Sequence, residues 1–339
     1  MKTRLLCGAV AGLLACASAT VGAATIVVVP GTGFADATPR APEGGNPGTT
    51  IGAQRLFAFQ AAANAWGAML NSTQTITVNA NFVSQDCAPN SAQLGSAGPT
   101  NFFLVNVAGT QRLVPVPLAE AMTGTNLNGA NAEIDANFNL ELDFESQDCL
   151  GGNRWYYGVT GPAPNGTSAF FPTVLHELGH GLGFLTIVCD DPAGCSNGIP
   201  FGGYPVISAT ERLDTWAQRM RDTSVNQLWP AMSAAQRSAA FTGENVLVWD
   251  GPAVAAALPG FGFSNGLNGG RMKMYTPNPL EPGSSISHFD ESAAPNLLME
   301  PVADDDVFNQ TDLTGPAFAD LGWSVNIAAP GTIFANGFE

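Results

Sequence analysis

Histidine is nearly missing from this chain, with three among 339 residues. Charge is sparse as well: Asp, Glu, Lys and Arg make up 12% of the sequence, about half the usual fraction. Basic residues are the scarcer sign, 12 Lys and Arg against 28 Asp and Glu, for a net charge of −16. A surface this acidic repels phosphate backbones, which excludes nucleic-acid binding through a basic face. Beyond the first two dozen residues no run reaches 18 consecutive apolar residues, so no transmembrane segment is expected in the mature chain. No Cys-x-x-Cys pair occurs, which removes a thiol redox centre and a zinc ribbon. What is plentiful is Gly (39), Pro (24) and hydrophobic side chains (45%). That combination predicts a packed, loop-rich fold rather than a disordered chain or a coiled coil.

Residues 1–24 open with Lys2 and Arg4, continue uncharged, and end in the small residues Gly22, Ala23 and Ala24. This is the pattern of a secretory signal peptide cut after Ala23 or Ala24, which sends the protein to an extracellular or periplasmic compartment. The alternatives are a retained membrane anchor, for which the apolar core is short, and lipid anchoring at Cys16, since Leu13-Leu14-Ala15-Cys16 loosely fits a lipobox. Cleavage leaves four cysteines, an even number suited to an oxidising compartment. Of the three possible pairings, proximity favours Cys189 with Cys195, leaving Cys87 to close a long loop with Cys149.

Residues 25–29 form a β-branched run before Pro30 and read as a strand. Over residues 53–70, Leu56, Phe57, Phe59, Ala63, Trp66 and Leu70 recur at helical spacing. Residues 75–82, 101–107 and 132–139 read as strands, the last half-buried near a sheet edge where it could pair with an extended peptide. Residues 170–185 read as a helix with Pro172 in its first turn. Further helices are expected at 209–222, 233–240 and 313–321, and loops across 251–283. The fold class is therefore α+β, a sheet with a central helix facing a more irregular C-terminal part across a cleft.

The three histidines decide the chemistry. His176-Glu177-Leu178-Gly179-His180 is an HExxH motif inside the helix expected at 170–185. Residues four apart share one helix face, so both imidazoles can reach one ion while Glu177 stands beside them to take a proton from water. With this composition, chance would produce the motif in roughly one such chain in a thousand. A catalytic zinc needs three protein ligands and one open position. Position 186, where the commonest metzincins carry a third His, holds Thr186. The third ligand is then either a distant carboxylate or the one remaining histidine, His288.

His176 to Phe184, the late segment Ser287-His288-Phe289-Asp290 and the stretch Leu297-Leu298-Met299-Glu300-Pro301 together resemble the leishmanolysin-type metzincins and their secreted bacterial relatives. Asp312 to Trp323 is similar to that family's closing helix and its Asp-Leu-Gly-aromatic ending. The resemblance covers residues 172–186 and 285–324. It implies a two-lobed zinc peptidase, a twisted mixed sheet plus active-site helix in residues 25–186 and an irregular, partly helical lobe in 187–339. It further implies that His176, His180 and His288 bind one zinc ion, that Glu177 is the general base, and that Met299 forms the Met-turn beneath the metal. No pro-segment with a latency cysteine separates the leader from the first strand, and the excursion 181–287 is longer than expected for leishmanolysin.

The expected function is a secreted zinc metalloendopeptidase acting on protein or peptide substrates, with the oligomeric state left open. Two alternatives stand beside it: a non-catalytic binding protein stapled by structural zinc, and a zinc hydrolase of non-peptide amides. Weaker signals add little. Asp304-Asp305-Asp306 and Asp190-Asp191 could bind calcium but read better as solvated turns. Tyr156, Tyr157, Tyr204 and Tyr275 are candidates to steady an oxyanion, and no spacing selects one. The C-terminal residues 333–339 read as a frayed end or a sorting tag.

Overall fold

A computed structural model of the chain describes residues 22–303, 307 and 311–326. Most of the expected leader, the Asp304–Asp306 run and the tail at 333–339 lie outside the described residues. The architecture is mixed α+β with several small sheets. Its largest sheet has four strands, β1 (Ile26–Pro30), β2 (Ile76–Val83), β3 (Gly95–Pro99) and β6 (Ile134–Asn139), in the order β1-β2-β6-β3. β1, β2 and β6 run parallel, with Val28 opposite Val78 and Ala80 opposite Ala136, while β3 is antiparallel to β6. β4 (Phe102–Val107) and β5 (Thr110–Pro115) form a separate hairpin.

Alternating burial along β2 sets the layering. Ile76, Val78, Ala80 and Phe82 are buried together with Ile134, Ala136 and Phe138 of β6, whereas Val27 and Val29 of β1 point outward. Two helices cover the buried face. α1 (Ile51–Met69) begins at Thr50, whose side chain accepts the Ala53 N–H, satisfying one of the free donors of the first turn. Phe59, Ala62, Ala63 and Trp66 are its buried stripe, and Trp66 Nε1 donates to Leu175 O of α3 (Phe170–Gly181) at 2.9 Å. Leu56 and Phe57, counted in the helical stripe, instead sit partly exposed. Both cysteine pairs, Cys87 with Cys149 and Cys189 with Cys195, lie at disulfide distance as expected.

Four expectations need correction. The strand at 134–139 is near an edge as expected but one place in from it, so it cannot itself pair with a peptide; the edge on that side is β3, whose Gly-Ser-Ala-Gly-Pro sequence carries no strand signal. α3 stops at Gly181, short of residue 185, because Gly183 takes a φ of +118°, where a Cβ would also press against Pro115 at 2.9 Å. Residues 209–222 are not a helix. They hold a hairpin arm at Thr210–Glu211, a 3-10 turn at Trp216–Arg219 and a strand at Met220–Asp222 paired with Leu247–Trp249. Leu213, Trp216, Ala217 and Met220 are buried at helix-like spacing, but Asp214 spends its carboxylate on Ile187, Thr186 and Ala217 and holds the segment open. Finally, 251–283 is not all loop: α5 (Pro252–Phe261) lies within it. Its first N–H groups, Ala253 and Val254, are capped by Asp320 of α6 (Thr314–Leu321), a partner that local sequence cannot show. The short helix α4 (Ala234–Ala239) matches its expectation and carries a capping box from Ser233 and Gln236. α2 (Val116–Thr123) completes the set, entered through Pro117 and closed at Gly124.

Candidate metal centre

α3 presents His176 and His180 one turn apart while Val174, Leu175 and Leu178 fasten the helix into the core. The tight turn at Gly183 brings Phe184 O back to 2.7 Å from His180 Nδ1. His288 arrives from 108 residues further on, its Nδ1 2.6 Å from Ser284 O. His176 Nδ1 lies 2.7 Å from Leu298 O. Each Nδ1 thus faces a carbonyl, which can only accept, so each Nδ1 carries the proton and each Nε2 presents a lone pair. The three Nε2 atoms converge: His176 to His180 is 3.0 Å, His180 to His288 3.0 Å, and His176 to His288 3.2 Å.

Three lone pairs aimed at one point with no proton among them repel unless a cation sits there. The spacing fits one, since ligands about 2.0–2.1 Å from a tetrahedral metal lie about 3.3 Å apart. The His176, His180 and His288 group could therefore hold a metal ion, and it is a set of neutral imidazoles. Burial pulls the His176 pKa down to about 4 and that of His180 down to about 3, the latter also through the His176 charge. Burial and its two neighbours push His288 well below the ordinary range. All three are held in the neutral, metal-competent form. Among the described residues no carboxylate or cysteine joins this group, so the distant-carboxylate option finds no support.

Below the ligands, Met299 is fully buried and runs against Gly179, where a Cβ would stand 2.7 Å from its Sδ. The missing side chain at 179 is what lets Met299 pack this close to the helix that carries His176 and His180. Above them, Glu177 is buried beside the centre, and the Ala97 N–H of edge strand β3 donates to its carboxylate. Burial dominates that hydrogen bond and pushes the Glu177 pKa up to about 8. The centre opens on a cleft of about 1330 Å³ whose walls include Ser96, Ala97, Thr173, Thr186 and Ser284. No protein-family model, no curated protein and no solved structure matches the chain.

The structure brings together all four residues that the sequence singled out, and adds supports that residue types could not reveal. The three carbonyls that fix the imidazoles are backbone atoms, visible only once the chain is folded. Asp312 accepts the Leu298 N–H and so holds the turn whose carbonyl orients His176; the sequence places Asp312 only in the closing helix. Thr186 is no ligand. Its N–H donates to Ser287 Oγ and its hydroxyl to Asp214, tying the end of the HExxH segment to the loop of His288. None of the four tyrosines lines the cleft: Tyr157 is tied to Asp143 and Arg55, Tyr204 to Thr186, and Tyr275 donates to Glu281. Asp190 and Asp191 accept the N–H groups of Gly283 and Ala193, the ordinary work of turn residues. Among the described residues no helix is long and apolar enough to cross a membrane.

Proposed function

We propose that this chain is a secreted zinc metalloendopeptidase related to the leishmanolysin-type metzincins. The observation that carries the reading is the triangle of Nε2 lone pairs with a buried carboxylate, Glu177, one residue from the first ligand. A structural zinc site would call for a fourth protein ligand, and three neutral histidines beside an open cleft favour chemistry over stapling. Bound there, zinc would supply Lewis acidity and lower the pKa of water from 15.7 towards about 7. His176, His180 and His288 hold it, oriented by Leu298, Phe184 and Ser284. Glu177 would take the proton from the attacking water and return it to the leaving amine, with the Ala97 N–H orienting its carboxylate beside the centre. β3 has one edge paired with β6, and its Gly95–Gly98 backbone lines the cleft, so an extended peptide can add to it as a further strand.

The deciding experiment is hydrolysis of casein by the purified chain, with and without a zinc chelator, beside Glu177→Ala at equal measured zinc content. Chelator-sensitive cleavage that is lost by a hundredfold or more in the variant supports the proposal. Equal cleavage by wild type and variant removes Glu177 from the mechanism. A zinc-loaded wild type that cleaves neither casein nor a peptide library turns the assignment towards a binding protein.

A further inference from the structure

A second pair of acids is buried outside the histidine centre. Glu120, in the last turns of α2, is 1% exposed, and Glu133, just before β6, is 2% exposed. Glu120 Oε1 accepts the N–H groups of Leu127 and Asn128 at 2.6 and 2.9 Å. Its other oxygen, Oε2, is shielded from solvent and meets no protein donor. Glu133 Oε2 accepts the Thr77 N–H at 2.6 Å. The two carboxylates are joined by one short loop. Asn128, whose N–H serves Glu120, sends its side-chain amide to Ala132 O and Thr100 Oγ1, at 2.7 and 3.0 Å, and Glu133 follows Ala132. Burial, with the neighbouring Glu120 charge, raises the Glu133 pKa.

Two buried carboxylates tied to one loop through Asn128, with no ion pair to either among the described residues, are costly, and the unmet Glu120 oxygen adds to the cost. We propose that Glu120 and Glu133 bind a hard divalent cation, calcium in the extracellular setting. The donors on offer are oxygens, with neither thiolate nor imidazole among them, which selects calcium over zinc. Extracellular modules bind calcium at roughly 10⁻⁴ to 10⁻³ M, within reach of a two-carboxylate site. The ion would fasten the end of α2 to the starts of β2 and β6 and to Thr100, the residue that follows β3. It would thereby steady the edge strand from beyond the cleft.

The test is thermal unfolding of the full chain at constant zinc, in calcium-free buffer, in CaCl2, and in NaCl of equal ionic strength, for wild type, Glu120→Gln and Glu133→Gln. Wild type is expected to gain roughly 5 °C when calcium stands a hundredfold above its dissociation constant, and both variants to lose that gain. Glu133→Gln should melt above wild type without calcium and below it with calcium, because it removes both the repulsion and a ligand. A wild-type melting point indifferent to calcium overturns the proposal. So do variants that gain as much as wild type, or a Glu133→Gln chain unchanged in both buffers, which would indicate a shared proton. If Glu133→Gln does not fold, calorimetric titration of wild type and Glu120→Gln with CaCl2 decides: one site lost in the variant supports the assignment, and equal stoichiometry sinks it.

Discussion

Asp312→Ala should weaken metal binding while costing the metal-free fold at most about 3 kcal/mol. Asp312 accepts the Leu298 N–H and, at 3.0 Å each, the N–H and hydroxyl of Thr314. Burial outweighs these bonds and pushes its pKa up to about 6 from 3.8, so keeping the charge inside costs about 3 kcal/mol at neutral pH. Alanine removes that cost but strands the N–H groups of Leu298 and Thr314, at about 1–3 kcal/mol each. The opposing terms partly cancel, and the net change in global stability should lie between a gain of about 1 and a loss of about 3 kcal/mol. The local effect does not cancel. Leu298 O, which fixes the His176 ring, loses the bond that anchors its residue through the preceding peptide group. Losing such an outer partner costs about 10–100-fold in metal affinity, or about 1.4–2.7 kcal/mol. Zinc competition against a fluorescent chelator at pH 7.4 measures the first quantity, and urea unfolding of the stripped protein the second. Zinc affinity within threefold of wild type would show that the Leu298 turn needs no support from Asp312, and the reasoning would be wrong.

Glu177→Gln should stabilise the metal-free protein in a pH-dependent way. The folded carboxyl has its pKa raised from 4.5 to about 8, so its contribution to stability is complete below about pH 4.5 and is lost as pH climbs through 8. Glutamine has no such loss, and its advantage in unfolding free energy, measured by urea titration, should grow from pH 5 to pH 8, to at most about 5 kcal/mol; a constant difference would contradict this. The disulfides should differ in weight. Cys87–Cys149 closes 62 residues and Cys189–Cys195 only 6, so replacing each pair by serine should cost about 4 and about 2 kcal/mol respectively, read from urea unfolding of the two variants.

The candidate site was legible from the sequence because its chemistry needs rare residue types, and the chain offers almost no others. With three histidines in total, HExxH uses two and leaves His288 as the one imidazole able to complete a set. β2 was legible for a similar reason, since its strict alternation has a single reading. Where the sequence misled, the deciding partner lay far along the chain. Leu213, Trp216, Ala217 and Met220 follow helical spacing, yet Asp214 bonds to residues 186 and 187 and a turn with strand results. α5 depends on Asp320, some 66 residues from the N–H of Val254 that it caps. β3 is strand by virtue of its pairing with β6 alone, because nothing in Gly95-Ser96-Ala97-Gly98-Pro99 favours extension. The glutamates of the proposed calcium site carry no motif at all; only their burial distinguishes them.

The interval of 108 residues between His180 and His288 has a consequence in time. A chain emerging from its amino end exposes the HExxH segment early, but at that moment it owns only two of the three imidazoles. His288 comes more than a hundred residues later. Asp312, which holds the turn over His176, and Trp323, whose Nε1 donates to Leu182 O at the end of α3, come later still. A nascent or truncated copy therefore carries the signature without the centre. The proposed peptidase would be harmless to the cell that makes it until nearly the whole described chain has been delivered and folded.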